Sequence, residues 1–327
     1  MRICIAGVGA VGSVIAAYLS AAEKHEVSLL ARGEALAAIR KNGLKVESRG
    51  KHLESRPKAS DNAADLGPQD AVIVAVKGYS VPALAPALKP LIAKDTLVVT
   101  AQNGIPWWWF YGAGGGEGDR PFETVDPGAV AWREIGPEHA VGCIVTIPST
   151  KIAPGVAHHA GGLRLILGAP RWGGHADALK ALGRALTEAG IDAPIVEDIR
   201  LATWMKLQSQ VGSAPIAVLT GATNGELETA PGIVDLKRAV SLESLAVAQA
   251  WNVPLKPEPN RASATDPSHK PSMLQDFEAG RPIELDAIVG AVIELARLKS
   301  VPVPTIEGIW AMARLRAETR RNAGCAL

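Results

Sequence analysis

Six residues near the amino terminus, Gly7-Val8-Gly9-Ala10-Val11-Gly12, form a G-x-G-x-x-G pattern between a short apolar run and an apolar helical stretch. In that context each glycine has a task. The first permits a tight turn, the second lets backbone approach a pyrophosphate, and the third lets helix pack closely on strand. The helix N-terminus adds N–H donors and positive potential. The spacing therefore predicts a dinucleotide site built from Gly7, Val8, Gly9, Ala10, Val11 and Gly12. Twenty residues beyond Gly12, a second strand-like run, Val27–Ala31, ends at Arg32. An NAD site ordinarily places an acidic residue there to hold the ribose 2′-hydroxyl, whereas arginine is a planar, permanently charged partner for a 2′-phosphate. The expected cofactor is NADPH. Lys77 and Asn103-Gly104 follow the apolar runs 71–76 and 97–101, at the carboxyl ends of strands where ligands gather in open α/β sheets.

Hydride delivery to a carbonyl carbon builds an alkoxide, which a positioned acid must protonate. Lys206 is the one charged residue between Leu201 and Gly225. A lysine isolated in such a helix either snorkels to water or serves a function, and its spacing alone leaves both open. Helical periodicity puts Gln210 and Ala214 on the same face.

The elements that must carry these residues can be read from hydrophobic patterning. Over the first two hundred residues, apolar runs at 2–6, 27–31, 71–76 and 97–101 alternate with helical stretches at about 11–22 and 84–92. That alternation predicts a mainly parallel sheet covered on both faces by helices, a Rossmann-like α/β domain. Val141–Val145, together with Val156–Ala160 and Leu163–Leu167 around Gly161-Gly162, is expected to add antiparallel strands to that sheet. A helix is expected from about Ala176 to Ala189. Beyond Ile199 only helical stretches recur, at about 199–219, 231–251, 284–299 and 305–322, and Pro254–Pro259 separates two of them. The expected organisation is an NADP-binding domain over 1–198 and an all-α substrate and catalytic domain over 199–327.

Composition excludes several functions. The 34 basic residues against 33 acidic ones give a net charge of +1, too little for a broad phosphate-binding face, so nucleic acid is not expected as a partner. No apolar run reaches the roughly 18 residues of a membrane span, and no membrane partner is expected. Arg2, the apolar stretch after it and Ser20-Ala21-Ala22 imitate a signal peptide, but three spaced glycines interrupt the stretch. Cys4, Cys143 and Cys325 are odd in number, far apart and without a C-x-x-C pair, which fits a reducing cytoplasm.

Further along, Lys270-Pro271-Ser272-Met273-Leu274-Gln275-Asp276 leads to Gly280-Arg281-Pro282-Ile283-Glu284-Leu285-Asp286 and on to Val301-Pro302-Val303-Pro304. With the GVGAVG loop, the VKGYS and QNGIP turns and the WMK helix, this segment closely resembles the signature of 2-dehydropantoate 2-reductases, the ketopantoate reductases. The resemblance runs from residue 3 to about residue 305. It implies NADPH-dependent reduction of 2-dehydropantoate to (R)-pantoate, on the route to pantothenate and coenzyme A. It further implies Lys206 as general acid, Glu284 as the carboxylate near it, and Ser272 as a substrate-binding serine. Arg32, Lys77 and Asn103 match cofactor-binding positions, with Asn103 near the nicotinamide end and the substrate. Family members usually carry asparagine four and eight residues after the lysine, and here Gln210 and Ala214 stand there. Gln210 still offers an amide to a substrate, but Ala214 offers no side-chain hydrogen bond. A relative that reduces another 2-oxo acid, or a non-catalytic NADPH-binding regulator, are the alternatives. A homodimer is compatible with the sequence.

The remaining features have plain readings. His158 and His159 are neighbours on a strand, face opposite ways and lack a third ligand, so no metal site is expected. Arg314, Arg316, Arg320 and Arg321 suit a solvated helix end, and Asp276 and Asp286 suit structural roles. Aromatics are only 4% of the chain, yet five stand together at Trp107–Tyr111, four residues past Asn103. That run is expected either to wall or cap the active-site mouth, to make a subunit contact, or to pack as a hydrophobic cluster on the sheet. The glycine-rich stretch 112–118 after it reads as mobile.

Overall fold

The computed structural model describes residues 1–113, 118–256 and 266–324. Cys325, most of the glycine-rich stretch (114–117) and Pro257–Pro259 lie outside the described residues. By its internal contacts the chain forms two compact units, Met1–Gln102 with Pro106–Ala202, and Asn103–Ile105 with Thr203–Leu327.

The first unit runs β1 (Arg2–Ala6), α1 (Ala10–Ala21), β2 (Glu26–Leu30), α2 (Gly33–Asn42), β3 (Leu44–Ser48), β4 (Lys51–Ser55), β5 (Lys58–Ser60), β6 (Ala71–Val74), α3 (Val81–Leu88), β7 (Leu97–Ala101), α4 (Val130–Glu134), β8 (Ala140–Thr146), β9 (Ser149–Ala153), β10 (Val156–His159), β11 (Arg164–Gly168) and α5 (Ala176–Glu188). Seven strands make one sheet in the order β11-β8-β7-β6-β1-β2-β5. Every neighbouring pair is parallel except β8 with β11. The continuous apolar character of β1 follows from burial on both faces. Ile3 and Ile5 enter a core with Val14 and Ile15 of α1 and Leu182 and Leu186 of α5, while Cys4 and Ala6 enter another with Val72, Leu88 and Trp108. Burial pushes the Cys4 thiol up to about 11, which keeps it neutral and unreactive at physiological pH.

Two strand expectations are corrected. Val141–Val145 belongs to β8, which runs parallel to β7, so only β11 is an antiparallel addition. Val156–Ala160 and Leu163–Leu167 do not form a hairpin. β10 lies in a second, four-stranded sheet ordered β4-β3-β10-β9, while β11 pairs with β8 in the first. The reason is visible at His159, whose Nδ1 is 2.8 Å from Ser48 Oγ of β3 and whose Nε2 is 2.9 Å from the Gly162 carbonyl oxygen. Ser48 Oγ in turn lies 2.7 Å from Tyr18 Oη on α1. This buried polar chain binds β10 to β3, so the glycine pair is a passage between sheets and not a tight turn. The alternating burial of β3 turns Leu44 and Val46 toward the core that holds α1.

The aromatic run is core. Trp107, Trp108, Trp109 and Phe110 are at most 2% exposed. Trp108 packs over Gly142 of β8, where an added Cβ would come within 2.7 Å of the indole, and its Nε1 donates to Thr100 Oγ1 at 2.9 Å. The Arg200 guanidinium fastens the end of the run by donating to the carbonyl oxygens of Trp109 (3.0 Å), Pro170 (2.9 Å) and Tyr111. Burial lowers its pKa to about 10, which still leaves it charged at neutral pH.

Among its described residues, the regular elements of the second unit are all helices. α6 spans Ile199–Thr220 and is followed by α7 (Asn224–Thr229), α8 (Ile233–Ala250), α9 (Ser272–Glu278), α10 (Ala291–Leu298) and α11 (Pro304–Gly324). A capping box of Thr223 and Glu226 opens α7. The Glu243 carboxylate on α8 accepts the N–H groups of Thr305 and Ile306, which caps α11. The helix expected at 284–299 is in fact interrupted, because Asp286–Gly290 forms a wide π turn before α10.

Trp108→Ala should cost about 3–5 kcal/mol of stability, since it empties a fully buried indole site. Urea denaturation measures that loss, and the folded variant should keep wild-type kinetic constants. A stable variant with altered kinetics would contradict the core assignment.

Candidate active site

In the first unit the sheet order reverses at β1, with β2 on one side and β6 on the other, and this is the position at which open α/β sheets bind ligands. Gly7 leaves β1 there with φ +104°, and a Cβ on it would lie 2.5 Å from Val76 Cγ1. At Gly12 a Cβ would collide with the Gly7 carbonyl oxygen. Packing thus accounts for the first and third glycines. It does not account for Gly9, where a Cβ would meet a single protein atom, the Ala75 carbonyl oxygen 4.0 Å away. The open space beside Gly9 suits a ligand that approaches the backbone. Val8 is buried beneath the loop, and Ala10 and Val11 begin α1. That helix has no side-chain N-cap and no acidic residue in its first turn, so no carboxylate of the helix competes with an anion for its leading N–H groups.

Arg32 is exposed at the N-cap of α2, just past the end of β2. Lys77 is half-buried and begins the short turn Gly78–Ser80 after β6. Both are where the sequence placed them, at carboxyl ends of parallel strands.

In the second unit, Lys206 is half-buried on α6, near the buried Trp204 and Leu207. Its Nζ donates to Asn103 Oδ1 at 2.7 Å. The short segment Asn103–Ile105 belongs to this unit by contact, although the chain around it belongs to the other. Gln210 is half-buried one helical turn beyond Lys206, and Ala214 is buried one turn further. Glu284 is only 5% exposed and comes just before the wide turn, while Ser272 is exposed at the start of α9. A neutral amide acceptor fixes the position of an ammonium without cancelling its charge. The ammonium can therefore polarise a carbonyl oxygen and give it a proton.

The other residues singled out by sequence have structural partners. Asp276 is buried and pairs with Arg281 Nε at 2.8 Å. Asp286 accepts a long hydrogen bond from Trp310 Nε1 at 3.4 Å. Arg314 pairs with Glu318 at 3.0 Å, and Arg316 and Arg320 lie over the Phe277 ring. His159 is spent on Ser48 and Gly162, and among the described residues no group of three His, Cys, Asp or Glu side chains is arranged to hold a metal ion. Sequence reasoning singled out Asn103 but gave no account of Gly104 behind it, whose φ is +82°. The Asn-Gly pair was the available signal.

The family model described as "Ketopantoate reductase PanE/ApbA" matches residues 3–107, and its C-terminal counterpart matches residues 198–317. A 2-dehydropantoate 2-reductase from Mesorhizobium japonicum is 39% identical over 99% of this chain and 99% of its own. Among solved structures, a PanE/ApbA family ketopantoate reductase from Ralstonia eutropha JMP134 has a TM-score of 0.83 at 26% identity, covering 98% of this chain and all of its own. A 2-dehydropantoate 2-reductase from Methylococcus capsulatus has a TM-score of 0.81 at 27% identity, covering 98% of both chains. A glycine loop shaped for a dinucleotide, a lysine held by an asparagine, and likeness along nearly the whole chain converge on one assignment: this chain belongs to the ketopantoate reductase family of oxidoreductases.

Proposed function

We propose that the chain reduces 2-dehydropantoate to (R)-pantoate with NADPH, and that Lys206 is the general acid. The observation that carries this reading is the 2.7 Å hydrogen bond from Lys206 Nζ to Asn103 Oδ1, on a helix with no other charge from Leu201 to its end at Thr220. The amide holds the ammonium in place, and the ammonium protonates the carbonyl oxygen as negative charge develops there. Gly7–Gly12 and the first turn of α1 hold the pyrophosphate, and the room at Gly9 fits a group that must approach the backbone. Arg32 takes the 2′-phosphate and Lys77 adds positive charge at the neighbouring strand end. When bound, NADPH supplies the hydride. Ser272 and Gln210 hold the substrate, Asn103 also faces it, and the buried Glu284 carboxylate orients the donor or the substrate.

The substrate follows from the family names of relatives matched end to end. A second reading, reduction of a different 2-oxo acid, is favoured by Gln210 and Ala214. The longer amide moves the hydrogen-bonding atoms by one methylene, and the buried methyl of Ala214 removes a polar partner. Each group left unpaired costs about 1–3 kcal/mol of discrimination. The net charge of +1 argues against nucleic acid as a partner, and no described helix is long and apolar enough to cross a membrane. Cys4 and Cys143 are buried and in no disulfide, which suits a cytoplasmic enzyme.

Lys206→Ala should lower kcat about 10²–10⁴-fold while NADPH still binds, as followed by steady-state rates and cofactor fluorescence. Wild-type turnover in that variant would remove Lys206 from the mechanism. Arg32→Asp should raise the KM for NADPH far more than the KM for NADH. Equal losses for the two cofactors would contradict the 2′-phosphate assignment.

A further inference from the structure

The hydrogen bond from Lys206 fixes where the ammonium lies only if Asn103 is itself fixed. Asn103 has no helix or strand of its own, since β7 ends at Ala101 and the next residues are turn. What holds the segment is backbone. The Ile105 N–H donates to the Ala287 carbonyl oxygen at 2.8 Å. Ala287 lies inside the wide turn Asp286–Gly290, whose closing N–H, from Ala291, reaches back five residues to the Asp286 carbonyl. A turn that wide leaves one carbonyl without its usual α-helical donor, and Ala287 offers its carbonyl to the Ile105 N–H. Between the two anchored residues stands Gly104, with φ +82°. A Cβ there would lie 2.5 Å from the Ala287 carbonyl carbon and 2.9 Å from Ala287 Cβ. Both backbone conformation and space demand glycine.

We infer that Gly104 and the wide turn 286–290 form a positioning clamp that sets where Asn103 holds the Lys206 ammonium. The clamp rests on the reading of Lys206 as proton donor given above. It gives the π turn a purpose, because an uninterrupted α-helix from Glu284 to Leu298 would spend the Ala287 carbonyl on its own N–H ladder. Neither Gly104 nor Ala287 touches the reacting atoms through a side chain. They are positioning residues, and displacement of Asn103 by a fraction of an ångström is their failure mode.

Two variants and one wild-type measurement test the clamp. Gly104→Ala inserts the colliding Cβ, and Ile105→Pro keeps the glycine but removes the N–H that grips Ala287. Each should lower kcat for ketopantoate at least about tenfold while the NADPH Kd changes little. Each should also move the basic limb of the kcat–pH profile to lower pH, because losing the amide acceptor disfavours the charged ammonium. A merely structural role would lower the melting temperature and leave the pH profile and the kcat of the folded fraction untouched, and that result overturns the proposal. If neither variant folds, amide hydrogen exchange on the wild-type protein decides. A protected Ile105 amide, exchanging as slowly as the interior of α10, supports the clamp, and free exchange refutes it. A wild-type chain that does not reduce ketopantoate overturns the functional reading, not the clamp, which the exchange measurement then settles without activity.

Discussion

The catalytic reading depends on one interaction, the hydrogen bond from an ammonium to a neutral amide. A lysine on a helix whose neighbours are mostly apolar would ordinarily extend toward water, because a desolvated charge is costly and the stem is flexible. Lys206 instead ends on Asn103 Oδ1 at 2.7 Å. The partner's neutrality matters as much as the distance. A carboxylate there would form an ion pair, whereas an amide positions the ammonium through a neutral acceptor. The surrounding sequence serves this contact. The part of α6 beyond Arg200, charged only at Lys206, presents the lysine, and an Asn-Gly-Ile segment, whose Ile105 N–H donates to the Ala287 carbonyl oxygen, presents the amide.

The cofactor half follows from a different constraint, close approach of backbone to backbone. The reversal of strand order at β1 opens the ends of β1 and β6, and the glycine loop lies there. Gly7 and Gly12 are required by the protein itself, since side chains would strike Val76 and the loop's own carbonyl. At Gly9 a Cβ would meet only the Ala75 carbonyl oxygen, 4.0 Å away, so the loop leaves room beside its backbone there. Behind the loop, two buried cores on opposite faces of the sheet keep the strand ends in register. The aromatic run contributes to one of them. Its concentration in an aromatic-poor chain reflects a large indole packed over Gly142 and an arginine that satisfies three backbone carbonyls.

Much of this was legible in sequence, for reasons that differ by element. Strands buried on both faces leave continuous apolar runs, and β1, β2, β6 and β7 were read within a residue or two. Long amphipathic or apolar helices are similarly plain, and so were α1, α5, α6, α8 and α11. The second sheet was not legible. β3, β4 and β9 are short and half-exposed, and β10 joins them through a histidine–serine–tyrosine chain that no local pattern announces. Adjacency across Gly161-Gly162 suggested a hairpin where the chain changes sheets. The π turn escaped because its neighbours are good helix formers, and the partner of its Ala287 carbonyl, Ile105, lies about 180 positions earlier in the chain. Of the site, Lys206 and Asn103 were separately visible, and their contact was not.

In the proposed reading, substrate identity turns on Gln210 and Ala214, which follow Lys206 one and two turns along α6. In the mechanism proposed above, hydride transfer and protonation draw on the lysine, its amide partner and the cofactor loop, and recognition of a particular 2-oxo acid draws on Gln210 and the space beside Ala214. The most direct test of the central claim is a crystal structure of the chain with NADP⁺ and pantoate. The account predicts the pantoate C2 hydroxyl oxygen within hydrogen-bond distance of Lys206 Nζ, with the bond to Asn103 Oδ1 retained. A ternary complex in which that oxygen is held by another group, with Lys206 turned away, would contradict it.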